Sequence, residues 1–251
     1  MTTLHGPGKA GFNAVVWNLS YKGPAKLDPP LGRAGHGGGF GPAALPGQYT
    51  ATLHAGTTMQ HVTLKVESDP RYQVSLATDR ADARAGLAAR AELSAVNRLL
   101  NHVSAMRTAL AAVLTRGKSD PTWAEQHAAL LKQGKQLEKT LSAYQNVLWN
   151  SHTQHNAEED FLRHFSHLHR RIETLYGLSA GLWGEPPRAQ LLTLIRTDRA
   201  RVEQLLTRYN GSVLSQVKHW NSAAYAAGVS TLPTGTPVNL NNPPALPPSG
   251  S

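Results

Sequence analysis

Two fragments of this 251-residue chain carry the residue types of acyl-transfer chemistry. "HGGG" at His36–Gly39 matches an oxyanion-donating loop. "GLSAG" at Gly177–Gly181 matches the turn that presents a nucleophilic serine, here Ser179, with Asp198 and His219 following in the order such triads use. That chemistry needs Ser179 on a strained junction between a buried strand and a helix. The residues before it, "RRIETLY", instead continue a helical pattern that starts at Phe161, and the pattern stays helical as far as His219. No parallel sheet is available to hold a triad, and HGGG sits in a loop already crowded with glycine. The expectation is that the chain has no catalytic residue.

Metal chemistry is the next possibility. "HTQHNAEEDFLRHFSHLH" places His152, His155, His164, His167 and His169 beside Glu158, Glu159 and Asp160. His164 and His167 share a helical face, with Asp160 one turn earlier, so a carboxylate–imidazole site is conceivable. Phe161, Phe165 and Leu168 take the core-facing positions, however, which leaves the histidines at the flank. Neither Glu-x-x-His nor His-Glu-x-x-His occurs. No metal ligand and no cofactor-binding residue is expected. The tryptophans Trp17, Trp123, Trp149, Trp183 and Trp220 fall on apolar seams or element ends, where they serve as core anchors rather than a sugar platform. Paired carboxylates for glycoside cleavage would need a cleft, and the β-forming part is too small to build one.

The elements that would position these residues form three blocks. The first, residues 1–76, reads as β-structure. "FNAVVWNLSY" alternates Val15, Trp17, Leu19 and Tyr21 against Ala14, Val16, Asn18 and Ser20, which is the period of a strand with one apolar face. Residues 23–47 are a Gly/Pro-rich loop. Alternation then resumes with Tyr49, Ala51 and Leu53. "AGTT" turns the chain with Gly56 at the position that needs positive φ. Val62, Leu64 and Val66 return on the apolar side, and Asp69-Pro70 stops the ladder.

The second block, residues 77–229, predicts about four amphipathic helices. Leu93, Val96, Leu100, Val103, Met106, Leu110 and Val113 recur at intervals of three and four. Gly117 suits a C-cap and Pro121 a first helical turn. A second seam runs Trp123, His127, Leu130, Gly134, Leu137, Leu141, Tyr144 and Leu148. A third runs Phe161, Phe165, Leu168, Ile172, Leu175 and Leu182. The fourth runs Leu191, Ile195, Val202, Leu206, Tyr209, Val213, Val217 and Trp220. Narrow seams of this kind predict an antiparallel bundle or paired hairpins. Residues 230–251 form a Pro-rich tail, either flexible or laid along a surface.

Composition narrows the classes. Hydrophobic residues make up 40% and cysteine is absent, which describes a globular chain without disulfides or thiolate chemistry. The N-terminus has no secretion-signal pattern, and no apolar run approaches membrane-spanning length. The net charge of +9 divides into +3 over residues 1–78 and +6 over the rest, with acids interleaved among the densest arginines. Phosphate tracking needs a concentrated stripe or a known reading module, so the diffuse excess argues against nucleic acid.

"GFNAVVWNLSYKGP" followed by "LPGQYTATLHAGTTMQHVTLKVESDPR" resembles the region after the propeller in bacterial sortilin-like proteins, which carry glycosyl-hydrolase and Asp-box (BNR) repeat labels. The match falls on Gly11, Asn13, Trp17, Leu19, Tyr21, Pro46, Gly47, Tyr49, Leu53, Asp69, Pro70 and Arg71, with Asn18 where the family commonly has Asp. "PPRAQ" at Pro186–Gln190 and the closing "AGVSTLP" are similar in placement to the family's helical section, although Pro187-Arg188 replaces its usual Pro-Thr. The resemblance implies an immunoglobulin-like, hook-capping-like β-sandwich, here partial, and a periplasmic or secreted location. It also implies that any hydrolase surface belongs to a propeller. No Ser-x-Asp-x-Gly-x-x-Trp box occurs in this chain.

The expected class is therefore α+β: a partial immunoglobulin-like antiparallel sandwich, then a helical bundle. The expected role is a non-catalytic accessory, structural or docking module. Its apolar sheet face, carried by Trp17, Tyr49 and Val62, would be covered by the helices or by a propeller domain or other protein, or the missing strands would lie upstream. A contribution to glycan binding and a basic helical nucleic-acid binder are the alternatives. The motif residues expected to matter structurally are Trp17, Pro46, Gly47, Tyr49, Asp69, Pro70 and Arg71.

Overall fold

The computed structural model describes residues 2–28, 40–71, 73–149, 167–181 and 184–246. These residues form a mixed α+β chain with a two-stranded sheet and a dominant helical bundle. No immunoglobulin-like sandwich is present among them. The sheet is the antiparallel hairpin of β1 (Gly47–Ala55) and β2 (Thr58–Val66). Its register puts Tyr49 opposite Leu64, Ala51 opposite Val62 and Leu53 opposite Gln60, so the apolar residues of both strands share one face as their alternation requires. Gly56 takes φ 59° and Thr57 does not, the pattern of a two-residue II′-type turn.

The expected strand Phe12–Tyr21 does not form. It has no ladder; Ser20 alone makes an isolated bridge to Ala43, and Leu19 at φ 53° breaks the alternation. A strand needs a neighbour to accept its backbone groups, and among the described residues only its end, Leu19 to Tyr21, has one, in backbone bonds with Pro42 and Ala44.

The helical block is longer than its apolar seams suggest. Helix α1 (Leu76–Ser119) starts on Ser75, whose Oγ accepts from Thr78 N at 3.1 Å, with Asp79 in the first turn. Gly117 lies inside α1 rather than capping it; a Cβ there would meet Leu131 Cδ1 at 2.7 Å. Asp120 ends α1 and caps α2 (Pro121–Gln126), accepting from Trp123 N, with Pro121 in the first turn as expected. Helix α3 (Ala128–Leu148), α4 (Leu168–Ser179), α5 (Ala189–Arg208) and α6 (Leu214–Ala226) complete the block. A π-helical turn, Tyr209–Val213, joins α5 to α6, so the fourth predicted helix is one continuous rod with a bulge.

Helix α1 is the axis on which α2, α3, α4 and α5 pack. The seam residues Leu93, Val96, Leu100, Val103, Met106 and Leu110 are buried along it, and Leu137, Leu141, Ile172, Val202, Tyr209, Val217 and Trp220 close the core from the other helices. The Ala-rich first half of α1 works differently. Small side chains there allow close approach, and a Cβ on Gly86 would lie 2.4 Å from Ser179 O. Of the third seam, Phe161, Phe165 and Leu182 lie outside the described residues.

Two extended segments are strapped to this bundle by polar side chains that grip backbone. Along α1, Ser94 Oγ accepts from Ala25 N at 3.1 Å and Asn97 Nδ2 donates to Ala25 O at 2.6 Å. Asn101 both donates to Lys26 O (3.0 Å) and accepts from Asp28 N (2.9 Å). On the other side, Asn210 holds both backbone groups of Val238, each at 2.9 Å. Asn221 holds Leu232 in the same way, at 2.8 and 2.9 Å. Leu232 and Val238 insert into the core. The described part of the Pro-rich tail thus lies along the bundle surface.

Candidate docking interface

The motif residues divide into two places. Trp17 meets Tyr49 edge-to-face with ring centroids 5.1 Å apart, and its Nε1 donates to Ser20 O. Tyr49 Oη donates to Leu45 O at 2.7 Å, and burial beside Tyr21 raises its pKa well above the ordinary phenol range. Leu45 is fully buried. Ala43 N donates to Ala180 O at the end of α4, and Tyr176 Oη donates to Phe40 O, so this short stretch is what roots the hairpin on the bundle. Gly41 is required here, because a Cβ would overlap Tyr21 O at 1.6 Å. Pro46 sits just before β1, and Gly47 opens it. Asp69, Pro70 and Arg71 form a separate exposed turn. Arg71 Nε donates to Asp69 Oδ1 at 2.9 Å, which holds the carboxylate below its usual pKa.

Beyond its root the hairpin is bare. Val62 is 56% exposed, and Leu53 and Leu64 on the same face are exposed too. Both outer edges of the two-stranded sheet are unpaired among the described residues. Among the described residues the helices do not cover this face, since the hairpin's extensive contacts there are all between its own strands. Upstream, Phe12 is 97% exposed and Val16 is nearly as open. An apolar face, free strand edges and an extended apolar segment therefore coincide at one end of the chain.

The esterase-like residues do not assemble. Ser179 lies at the buried end of α4, where its Oγ donates to Leu175 O at 2.8 Å, an ordinary intrahelical contact. Asp198 on α5 is fully buried and faces Arg171 Nη2 at 2.8 Å as a charge–charge contact without hydrogen-bond alignment. His219 on α6 is exposed. His36–Gly39 lies outside the described residues, as do His152, His155, His164, Glu158, Glu159 and Asp160. Of the remaining histidines in that run, His169 is buried with its ring 5.1 Å from that of Trp149, and His167 precedes α4. Among the described residues no group of three or more His, Asp or Glu is placed to hold a metal ion. Among them, too, no helix is long and apolar enough to cross a membrane.

Two further features do not follow from the apolar seams. Glu92, 1% exposed in the middle of α1, has no hydrogen-bond partner for either carboxylate oxygen among the described residues. Burial, opposed by Arg199 and reinforced by Asp198 and Glu203, pushes its pKa up to about 8. The second is a groove of about 650 Å³ between α3, α4 and α5, with three arginines on its walls. For Glu92 the signal is a charged residue beside the seam position Leu93; for the groove it is that Arg171 and Arg201 belong to the densest basic patches of the sequence. No family model matches the chain, and neither does any curated protein or solved structure.

Proposed function

We propose that this chain is a non-catalytic docking module whose hairpin is completed by β-structure of a second protein, a propeller of the sortilin-like type. The observation that carries the reading is the exposed apolar face of Leu53, Val62 and Leu64 on a hairpin whose two edges are unpaired among the described residues. Two strands alone are marginal in water. A β-rich partner would satisfy the face and an edge together by strand addition, whereas a docked helix would cover the face and leave the edges open. The propeller as partner rests on the residues that resemble the post-propeller region, Trp17, Pro46, Gly47, Tyr49, Asp69, Pro70 and Arg71. On the same resemblance the module works in the periplasm or outside the cell, and any glycan chemistry belongs to the propeller.

The test is sedimentation of the purified chain with a purified Asp-box propeller domain encoded in the same genome. A one-to-one complex is expected, lost in a Val62→Lys/Leu64→Lys double variant whose helical circular dichroism is unchanged. Two non-interacting species, or a complex indifferent to the double variant, would overturn the reading.

A further inference from the structure

The groove between α3, α4 and α5 has a built interior rather than a random basic surface. On α5, Arg201, Gln204 and Arg208 stand at i, i+3 and i+7 and so share one face. Arg171 reaches the groove from α4. Two of the three guanidinium groups are held by identifiable partners. Arg171 lies 2.8 Å from the wholly buried Asp198 and keeps 35% of its side chain exposed. Arg208 sits over the Tyr144 ring, 5.7 Å from its centroid. Burial raises the Asp198 pKa above the usual carboxylate range, and the charges of Arg171 and Arg201 oppose that rise.

Burying a carboxylate is costly unless a cation accompanies it. A basic patch that served only solubility would need no such support. Asp198 fixes the arginine beneath the groove while leaving the lining net positive. The volume, about 650 Å³, lies in the range of small-molecule sites. An adjoining pocket of about 290 Å³ shares Val147, Leu205 and Arg208 with it and reaches Lys139. Planar guanidinium groups recognise phosphate and carboxylate oxygens two at a time.

We infer that this groove binds a small polyanion bearing two or more phosphate or carboxylate groups. A bounded cleft between helices, with the remaining basic charge scattered, fits such a ligand better than a nucleic-acid duplex.

The test is isothermal titration of the full chain at low salt with pyrophosphate and, separately, with citrate. Saturable binding of at least one is expected, and which one binds distinguishes phosphate from carboxylate chemistry. Affinity should fall at least about tenfold in an Arg201→Gln/Arg208→Gln variant and stay unchanged in a Lys118→Gln/Lys218→Gln variant, which removes the same charge elsewhere. As a measurement on the unmodified chain, the bound probe should slow phenylglyoxal modification of Arg201 and Arg208 but not of Arg116. No saturable binding by either probe, equal weakening in both variants, or equal modification rates at all three arginines would overturn the inference.

Discussion

The helical block and the hairpin follow the same rule, that apolar side chains recur at the period of their element, yet they end in opposite surroundings. In the helices the seam from Leu93 to Leu110 is sealed by residues arriving from α3 to α6. In the hairpin the face made by Leu53, Val62 and Leu64 meets water, and most of the large exposed apolar side chains among the described residues precede Asp69. Periodicity therefore reports what an element is prepared to bury. Whether the burial happens within one chain depends on how many elements that chain contributes.

Substitutions at matched apolar positions should break or confirm this contrast. Leu100→Ala, in the middle of α1 and fully buried, should cost about 2–5 kcal/mol in chemical denaturation, through lost burial and a residual cavity. A cost below ~1 kcal/mol would mean that the bundle is as loosely committed as the hairpin.

Glu92 tests how dry the bundle interior is. The unfolded chain releases this proton near 4.5 and the folded chain holds it to about 8. Between those values the folded state binds more protons, so stability is complete below 4.5 and is lost as pH rises toward 8. The expected decline is on the order of a few kcal/mol, and Glu92→Gln should flatten it. Denaturation midpoints at several pH values in that window decide the matter; a wild-type curve as flat as the variant's would show that Glu92 is hydrated.

The straps stand between the two extremes. Asn210→Ala or Asn221→Ala removes a two-bond grip on the tail and should cost about 1–2 kcal/mol each. Limited proteolysis should then cut between residues 230 and 246 faster than in wild type. The smallest effect belongs to the hairpin. Val62→Ser in the isolated chain should change global stability by no more than about 0.5 kcal/mol. A larger loss in thermal melts would show that the hairpin is coupled to the bundle and that its face is not free.

Much of this organisation was legible in the residues. The hairpin register, its Gly56 turn, the start of α2 at Pro121 and the helical seams of Leu93–Leu110 and Leu130–Leu148 all follow from local periodicity and turn chemistry. The strand expected over Phe12–Tyr21 failed because alternation states a preference for a neighbour and cannot supply one. Gly117 was misread because glycine serves two purposes, and here contact with Leu131 took precedence over capping. The first half of α1 has alanines and Gly86 where a seam reader looks for bulk, so its tight packing on α4 left no periodic trace. The burial of Glu92 and the pairing of Asp198 with Arg171 left no periodic trace for a related reason. A charged residue one step from a seam is ordinary in an exposed helix, and only the crossing of α1, α4 and α5 turns it inward.

The asparagines that hold the straps touch carbonyl and amide groups common to every amino acid. The bundle therefore tolerates great freedom of spelling at Ala25, Lys26 and Asp28, where Asn97 and Asn101 grip main chain alone, while Leu27 between them packs against the core. Their lettering can drift or be rewritten with little penalty, and a foreign epitope grafted there would be displayed in a defined, stretched shape.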